Sequence, residues 1–249
     1  MLSSPTQASP TPTTPSDMTI WQDFLSNSEL PIHKWTHYFP LYESHLKRYQ
    51  NRSCTILEIG CEKGGSLRLW KRLLGPYARI IGLDIDPLCK ETEEEQIHIE
   101  IGSQADPETL ERLIQQYAPF DVVIDDGSHI MADVAISFRH LFDHVSNDGC
   151  YIVEDLHTAY WPEFGGGLGH AASFIEFTKT VIDAIHFSYL REAPGWDPLV
   201  LDIAKATRSI HIADSMVIFE KGQLIRKHAE RRGRLEPESN LLGELTFGG

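Results

Sequence analysis

The stretch from Phe120 to Leu156 most constrains what this chain can fold into. It reads FDVVIDDGSHIM, then a helical pattern, then NDGCYIVEDL. Two short apolar runs, Val122 to Ile124 and Tyr151 to Val153, have the character of buried parallel strands, and each ends in adjacent acids: Asp125 with Asp126, and Glu154 with Asp155. Both acidic pairs then fall at the same edge of one sheet. Open α/β sheets bind ligands at the carboxyl ends of their strands, so these carboxylates share one crevice with His129, three residues past Asp126. Such a crevice suits a hard divalent cation with a base beside it. Strand-end acids also cap the helices that follow them, but that role explains one pair more easily than two pairs on neighbouring strands with a histidine.

Composition narrows the class. A chain of 249 residues, 41% hydrophobic and 23% charged, is long enough for one large α/β domain. With 22 Lys and Arg against 36 Asp and Glu, the net charge of -14 repels phosphate backbones and anionic lipid, so neither nucleic acid nor a membrane is an expected partner. No apolar run approaches the roughly 18 residues of a membrane span, and the N-terminus lacks the basic start and apolar stretch of a signal peptide. A cytoplasmic protein is expected. Cys54, Cys61, Cys89 and Cys150 show no C-x-x-C spacing and are expected to be reduced and packed.

Residues 1–16 are mostly Ser, Thr, Pro, Ala and Gln, a composition expected to stay disordered. Residues 17–50 hold short aromatic-rich amphipathic pieces broken by Pro31 and Pro40, expected to pack outside the sheet or over its ligand edge. The catalytic domain is expected over 51–222 and a C-terminal extension over 223–249. Thr55 to Ile59 forms the first strand, and the turn Glu58-Ile-Gly60-Cys-Glu-Lys-Gly64-Gly65-Ser66 leads into a helix over 67–74. Glycines there let backbone approach a ligand at a helix N-terminus. The pattern acid-x-Gly60-x-x-x-Gly64 is not the G-x-G-x-x-G of dinucleotide binders but the spacing of S-adenosylmethionine-dependent methyltransferases, although a ligand-free tight turn would show similar glycines.

The second strand, Arg79 to Leu83, ends at Asp84, an acid placed to accept hydrogen bonds from ribose hydroxyls, while Asp86 before Pro87 has the look of a helix cap. Ile97 to Ile101 is a third strand, ending in Gly102-Ser103-Gln104, the expected place of an adenine; a helix follows over 107–117. Strand then helix, repeated to Val153, implies an α/β doubly wound, mostly parallel sheet. A hairpin of Ile210–Ala213 and Met216–Lys221 completes seven strands, the last antiparallel. The loop 157–169, with Tyr160, Trp161, Phe164 and three glycines, is expected to be a mobile lid over an apolar or sugar-like ligand; a helix is expected over 171–185. Lys227, Arg231, Arg232 and Arg234 are expected on a solvated helix face.

Glu58-Ile-Gly60 with Gly64, Gly82-Leu-Asp84, IDDGSH over 124–129 and VEDLHTAYWPEFGGG over 153–167 together resemble the metal-dependent sugar O-methyltransferases of natural-product pathways, relatives of the cephalosporin hydroxylase group. The resemblance runs from about Lys34 to Gly222. It implies a Rossmann-like methyltransferase fold, S-adenosyl-L-methionine and Mg2+ as cofactors, a glycoside substrate such as a rhamnosyl polyketide, and a homo-oligomer, dimer or tetramer. It places metal ligands on Asp126, Glu154 and Asp155 and the general base on His129. Cofactor contacts are expected from Glu58, Gly60, Gly64, Ser66, Asp84, Gly102, Ser103, Gln104 and Asp125. Substrate contacts are expected from His37, Tyr38, Tyr42, Tyr160 and Trp161; His37-Tyr38 and Tyr42-Glu43 match a His-Tyr, Tyr-Glu pattern of the group. By the same resemblance, the chain is expected to lack the large extra N-terminal domain of some relatives. Two neighbouring hydroxyls that chelate an ion fit a sugar ring; a catechol site carries Lys where His129 stands here. A nicotinamide oxidoreductase has the wrong glycine spacing, and a non-catalytic adenosyl-binding protein has no need of the base and ligands this chain keeps.

Overall fold

The computed structural model describes residues 19–192, 194–223 and 228–233. The expected disordered stretch 1–16 and most of the C-terminal extension, with Lys227 and Arg234, lie outside them. Arg231 and Arg232 are exposed but in no helix, which corrects the expected basic helix face.

The seven strands are β1 (Cys54–Ile59), β2 (Ala78–Asp84), β3 (Ile97–Ile101), β4 (Phe120–Asp125), β5 (Val145–Val153), β6 (Thr207–Ala213) and β7 (Met216–Lys221). Their order is β3-β2-β1-β4-β5-β7-β6. The pairs from β3 through β5 are parallel, and β7 runs antiparallel to both β5 and β6, as expected for the last strand. Residues along the central strands alternate between two cores, because a strand turns successive side chains to opposite faces. Leu57, Val123 and Tyr151 face the core built with α4 (Pro107–Tyr117), α5 (Met131–Leu141), α6 (Phe174–Ile185) and α7 (Pro198–Ala206). Ile56, Val122 and Ile152 face the other, built with α1 (Ile20–Ser26), α2 (Phe39–Leu46) and α3 (Gly65–Leu74).

Residues of the 19–50 segment therefore help build one of the two cores and do more than cover the sheet. Ile20, Phe39, Tyr42 and Leu46 are buried with Trp70 of α3. Helix α7 is absent from the sequence reading, although its start is signalled: Pro198 opens it and the Asp197 side chain accepts from the Leu199 N–H. The expected helix over 171–185 begins at Phe174, capped by Ser173. The loop expected to be a mobile lid is a pair of 3₁₀ turns, Leu156–Tyr160 and Pro162–Phe164, closed by bonds from the Gly166 N–H to the Trp161 carbonyl and from Gly167 to Ala159. No helix among the described residues is long and apolar enough to cross a membrane. All four cysteines are free and buried, as expected.

The order in which strands are added to the sheet reverses between β1 and β4, and that switch point opens a crevice at the carboxyl edge. The ladder continues one residue past the strands there. The Gly60 N–H donates to the Leu83 carbonyl at 2.8 Å, Asp126 to Ile59 at 3.0 Å and Glu154 to Asp125 at 2.9 Å. These bonds bring Gly60, Asp84, Asp126 and Glu154 to one level of the edge.

Candidate active site

The glycine turn is shaped by close approach. Gly60 has φ +80, and a Cβ there would lie 2.2 Å from the Asp126 carbonyl oxygen, so no larger residue fits. Gly64, φ +73, caps α3. Two adjoining cavities follow the edge. One, of about 330 Å³, is lined by Glu62, Ser66, Asp126 and His129, and by Lys34 and Trp35 of the N-terminal segment. The other, of about 360 Å³, is lined by Ile85, Gly102, Ser103 and Gln104. Both share Gly60, Asp84 and Gly127. The Asp84 carboxylate is held by the Glu62 and Asp86 N–H groups, each at 2.9 Å, at the junction of the two cavities.

At the far end of the first cavity, Asp126, His129 and Asp155 converge with donor atoms within 4.8 Å of one another. His129 Nε2 lies 3.9 Å from Asp126 Oδ1 and 3.8 Å from Asp155 Oδ2. His129 and Asp155 both adopt left-handed backbone, φ +58 and +54, a cost that persists only where surrounding contacts impose it and that clusters at functional sites. Tyr38 donates its hydroxyl to Asp155 Oδ1 at 2.9 Å. The two partly exposed carboxylates fit a hard ion that keeps several waters, such as Mg2+, with the imidazole beside them in the place of a base. Cys61, Asp84 and Cys89 also converge, but burial pushes both thiols up, Cys89 to about 11, and the Asp84 carboxylate is already taken by the Glu62 and Asp86 N–H groups.

Behind the cluster lies a group that sequence reading missed. The buried Lys34 ammonium is 2.7 Å from Asp126 Oδ2, 3.0 Å from Glu58 Oε1 and 3.1 Å from Glu154 Oε2. Its desolvation favours the neutral amine, yet the field of Asp126 and then Glu154 outweighs it and holds the pKa well above the usual lysine value. Burial pushes the Glu154 carboxyl up, against the opposing charge of Lys34. No local pattern points to Lys34; only its position in the segment before His37-Tyr38 hinted at the site.

Several expected roles change. Glu58 does not line the cavities: its carboxylate accepts from Lys34, from the Ser66 hydroxyl at 2.6 Å and from Trp70 Nε1 at 3.0 Å, so it braces the glycine turn. Tyr42 is fully buried and donates to Glu154 Oε1 at 2.6 Å, which removes it from substrate contact. Glu154 itself is buried and turned to Lys34 and Tyr42, while His129 takes the third place in the open cluster. His37 reaches the Asp214 carbonyl, and Tyr160 and Trp161 are exposed outside the cavity walls.

Asp125 is also withdrawn from the cofactor, buried on Gln104, Ser137 and Tyr151. Burial pushes its carboxyl up to about 6 despite those hydrogen bonds. Between the ordinary value near 4 and about 6 the folded state holds the extra proton, so this group makes stability fall as pH rises through that window, by on the order of 3 kcal/mol in all. Asp125→Asn should therefore gain on wild type from pH 4 to pH 7 in urea unfolding. A difference that stays flat with pH contradicts this.

Comparison with known proteins adds ancestry. No family model matches the chain. It is 39% identical over 202 residues to the demethylmacrocin O-methyltransferase of Streptomyces fradiae, covering 76% of this chain and 50% of that protein. It is 38% identical over 204 residues to the mycinamicin VI 2''-O-methyltransferase of Micromonospora griseorubida, with 78% and 50% covered. A third relative, the 8-demethyl-8-alpha-L-rhamnosyl tetracenomycin-C 2'-O-methyltransferase of Streptomyces olivaceus, is 34% identical over 201 residues, with 76% and 50% covered. Among solved structures, MycE methyltransferase in complex with Mg, SAH and mycinamycin VI superposes with TM-score 0.70 at 36% identity, covering 84% of this chain and 53% of that one. The fold is that of a class I methyltransferase. The chain spans about half the length of the curated relatives it matches. Within the methyltransferase fold, Gly60, Asp84 and the Gly102–Gln104 turn stand along the cavity pair at the switch point.

Proposed function

We propose that the chain is an S-adenosylmethionine-dependent, Mg2+-dependent O-methyltransferase acting on a sugar hydroxyl of a glycosylated natural product. The observation that carries this is the Asp126, His129 and Asp155 cluster opening into a cavity that continues past Asp84 to the Gly102–Gln104 turn. Asp84 would hold the ribose diol of the methyl donor, with the adenine toward Ser103 and Gln104. Asp126 and Asp155, joined by Glu154, would hold the cation, which when bound supplies Lewis-acid polarisation of a hydroxyl whose own pKa is far above 7. His129 Nε2 would take the proton of a hydroxyl held there as its oxygen forms a bond to the donor's methyl and the methyl–sulfur bond breaks, releasing S-adenosylhomocysteine. Trp35 lines the cavity, 5.9 Å from the His157 ring, and offers an aromatic surface that suits the apolar face of a sugar. The 36% identity to a structure holding Mg and SAH, and a relative named for a rhamnosyl group, support the same reading.

Mass spectrometry with isotopically labelled methyl donor and a panel of rhamnosides, their aglycones and catechols tests it. Label should appear on the sugar. Label only on aglycone or catechol rejects the sugar, and none anywhere rejects the enzyme. In the same assay Asp84→Ala should weaken donor binding by at least about tenfold, each lost charge-assisted hydrogen bond being worth roughly 1.5 to 3 kcal/mol.

A further inference from the structure

We propose that Lys34 is a positioning residue: its ammonium clamps one oxygen each of Asp126 and Glu154, so that the acid edge presents a preformed cation seat beside His129. The proposal rests on the reading of that edge as a cation site. The Lys34 side chain is 3% exposed and joins carboxylates from three elements, Glu58 near the end of β1 and Asp126 and Glu154 beyond β4 and β5. It takes Oδ2 of Asp126, which leaves Oδ1 on the His129 side. It takes Oε2 of Glu154, while Tyr42 takes Oε1, so both oxygens of Glu154 and one of Asp126 are held.

The segment that carries Lys34 is itself anchored. The Pro31 carbonyl oxygen packs where a Cβ on Gly65 would lie, 2.1 Å away, and four residues after Lys34 the Tyr38 hydroxyl holds Asp155 Oδ1. One short strap thus orients both open-cluster acids, Asp126 through Lys34 and Asp155 through Tyr38. Outer groups that orient ligands in this way commonly change metal affinity or activity by about 10- to 100-fold when removed.

A simpler role for Lys34 is charge balance among crowded acids, and the two roles predict opposite signs. Removing a positive charge makes the edge more negative, which by Coulomb attraction alone tightens a cation. Removing a clamp weakens it. Manganese(II), followed by electron paramagnetic resonance on the full chain, is the probe, with S-adenosylhomocysteine affinity by calorimetry as the check that the fold survives. Lys34→Met should bind Mn2+ about 10- to 100-fold more weakly and lose kcat, with S-adenosylhomocysteine affinity within about threefold of wild type. Equal or tighter Mn2+ binding overturns the role. Should Lys34→Met fail to fold, because its acids are left uncompensated, Lys34→Arg decides: it keeps the charge but not the point-like ammonium, so positioning predicts weaker Mn2+ and charge balance predicts wild-type binding. A wild-type chain that binds no Mn2+ rejects the cation site itself, and the role of Lys34 with it.

Discussion

Replacing His129 by alanine is expected to lower kcat by roughly 100- to 10,000-fold, the usual range for a lost general base, while S-adenosylmethionine and Mn2+ affinities stay within a few fold. The imidazole is the side chain best matched to proton transfer near neutral pH. Its Nε2 lies 3.8 and 3.9 Å from the two flanking carboxylates, too far for a hydrogen bond to either, so it does not serve by holding them in place. It lines the cavity and is held in left-handed backbone that aims it at the cluster. If His129 were instead a ligand or an orienting partner, the variant would bind the cation more weakly and recover at high Mg2+. Near wild-type kcat for His129→Ala at saturating metal would reject the base.

Removal of the divalent ion is expected to abolish turnover, and added Mg2+ to restore it. The physical reason is that a sugar hydroxyl at neutral pH is almost wholly protonated, and a polarising cation changes its acidity by several units where a lone imidazole does not. The matching substitution is Asp155→Asn. Its carboxylate is part of the open cluster and bonds Tyr38 but not Lys34, so the change removes a donor without freeing the lysine clamp. Mn2+ affinity should fall by more than about 100-fold, beyond the 10- to 100-fold typical of an outer partner. Full activity in excess chelator, or unchanged Mn2+ binding in Asp155→Asn, counts against the cation mechanism.

Much of this architecture is legible in the chain because it is encoded locally. The run Val122 to Ile124 alternates between two cores, and the ladder bonds after β1, β4 and β5 carry the next residues to one edge, so an apolar run followed by acids marks both a strand and a ligand site. The glycine turn is legible for the same kind of reason: φ +80 at Gly60 and its contact with the Asp126 carbonyl exclude a side chain. Less local features were misread. Asp125 and Asp126 are neighbours with the same chemistry, but strand alternation sends Asp125 inward to Gln104 and Ser137 and leaves Asp126 at the cavity. Tyr42 has the aromatic character of a substrate platform, yet it is buried on Trp70 with its hydroxyl on Glu154.

The sequence by itself determined the class of fold and the sheet edge at which Asp126, His129, Asp155 and Asp84 gather, since strand period, turn stereochemistry and short spacings carry that placement. Only the tertiary structure decided which carboxylate oxygens face the cavity and which are held from behind. Lys34 reaches Asp126 across 92 positions and Glu154 across 120, and Tyr38 reaches Asp155 across 117. Contacts at such separations have no period to read. They exist because burying a cation among acids is tolerated only when each charge finds its partner, and that condition is met when the N-terminal strap closes over the folded sheet edge.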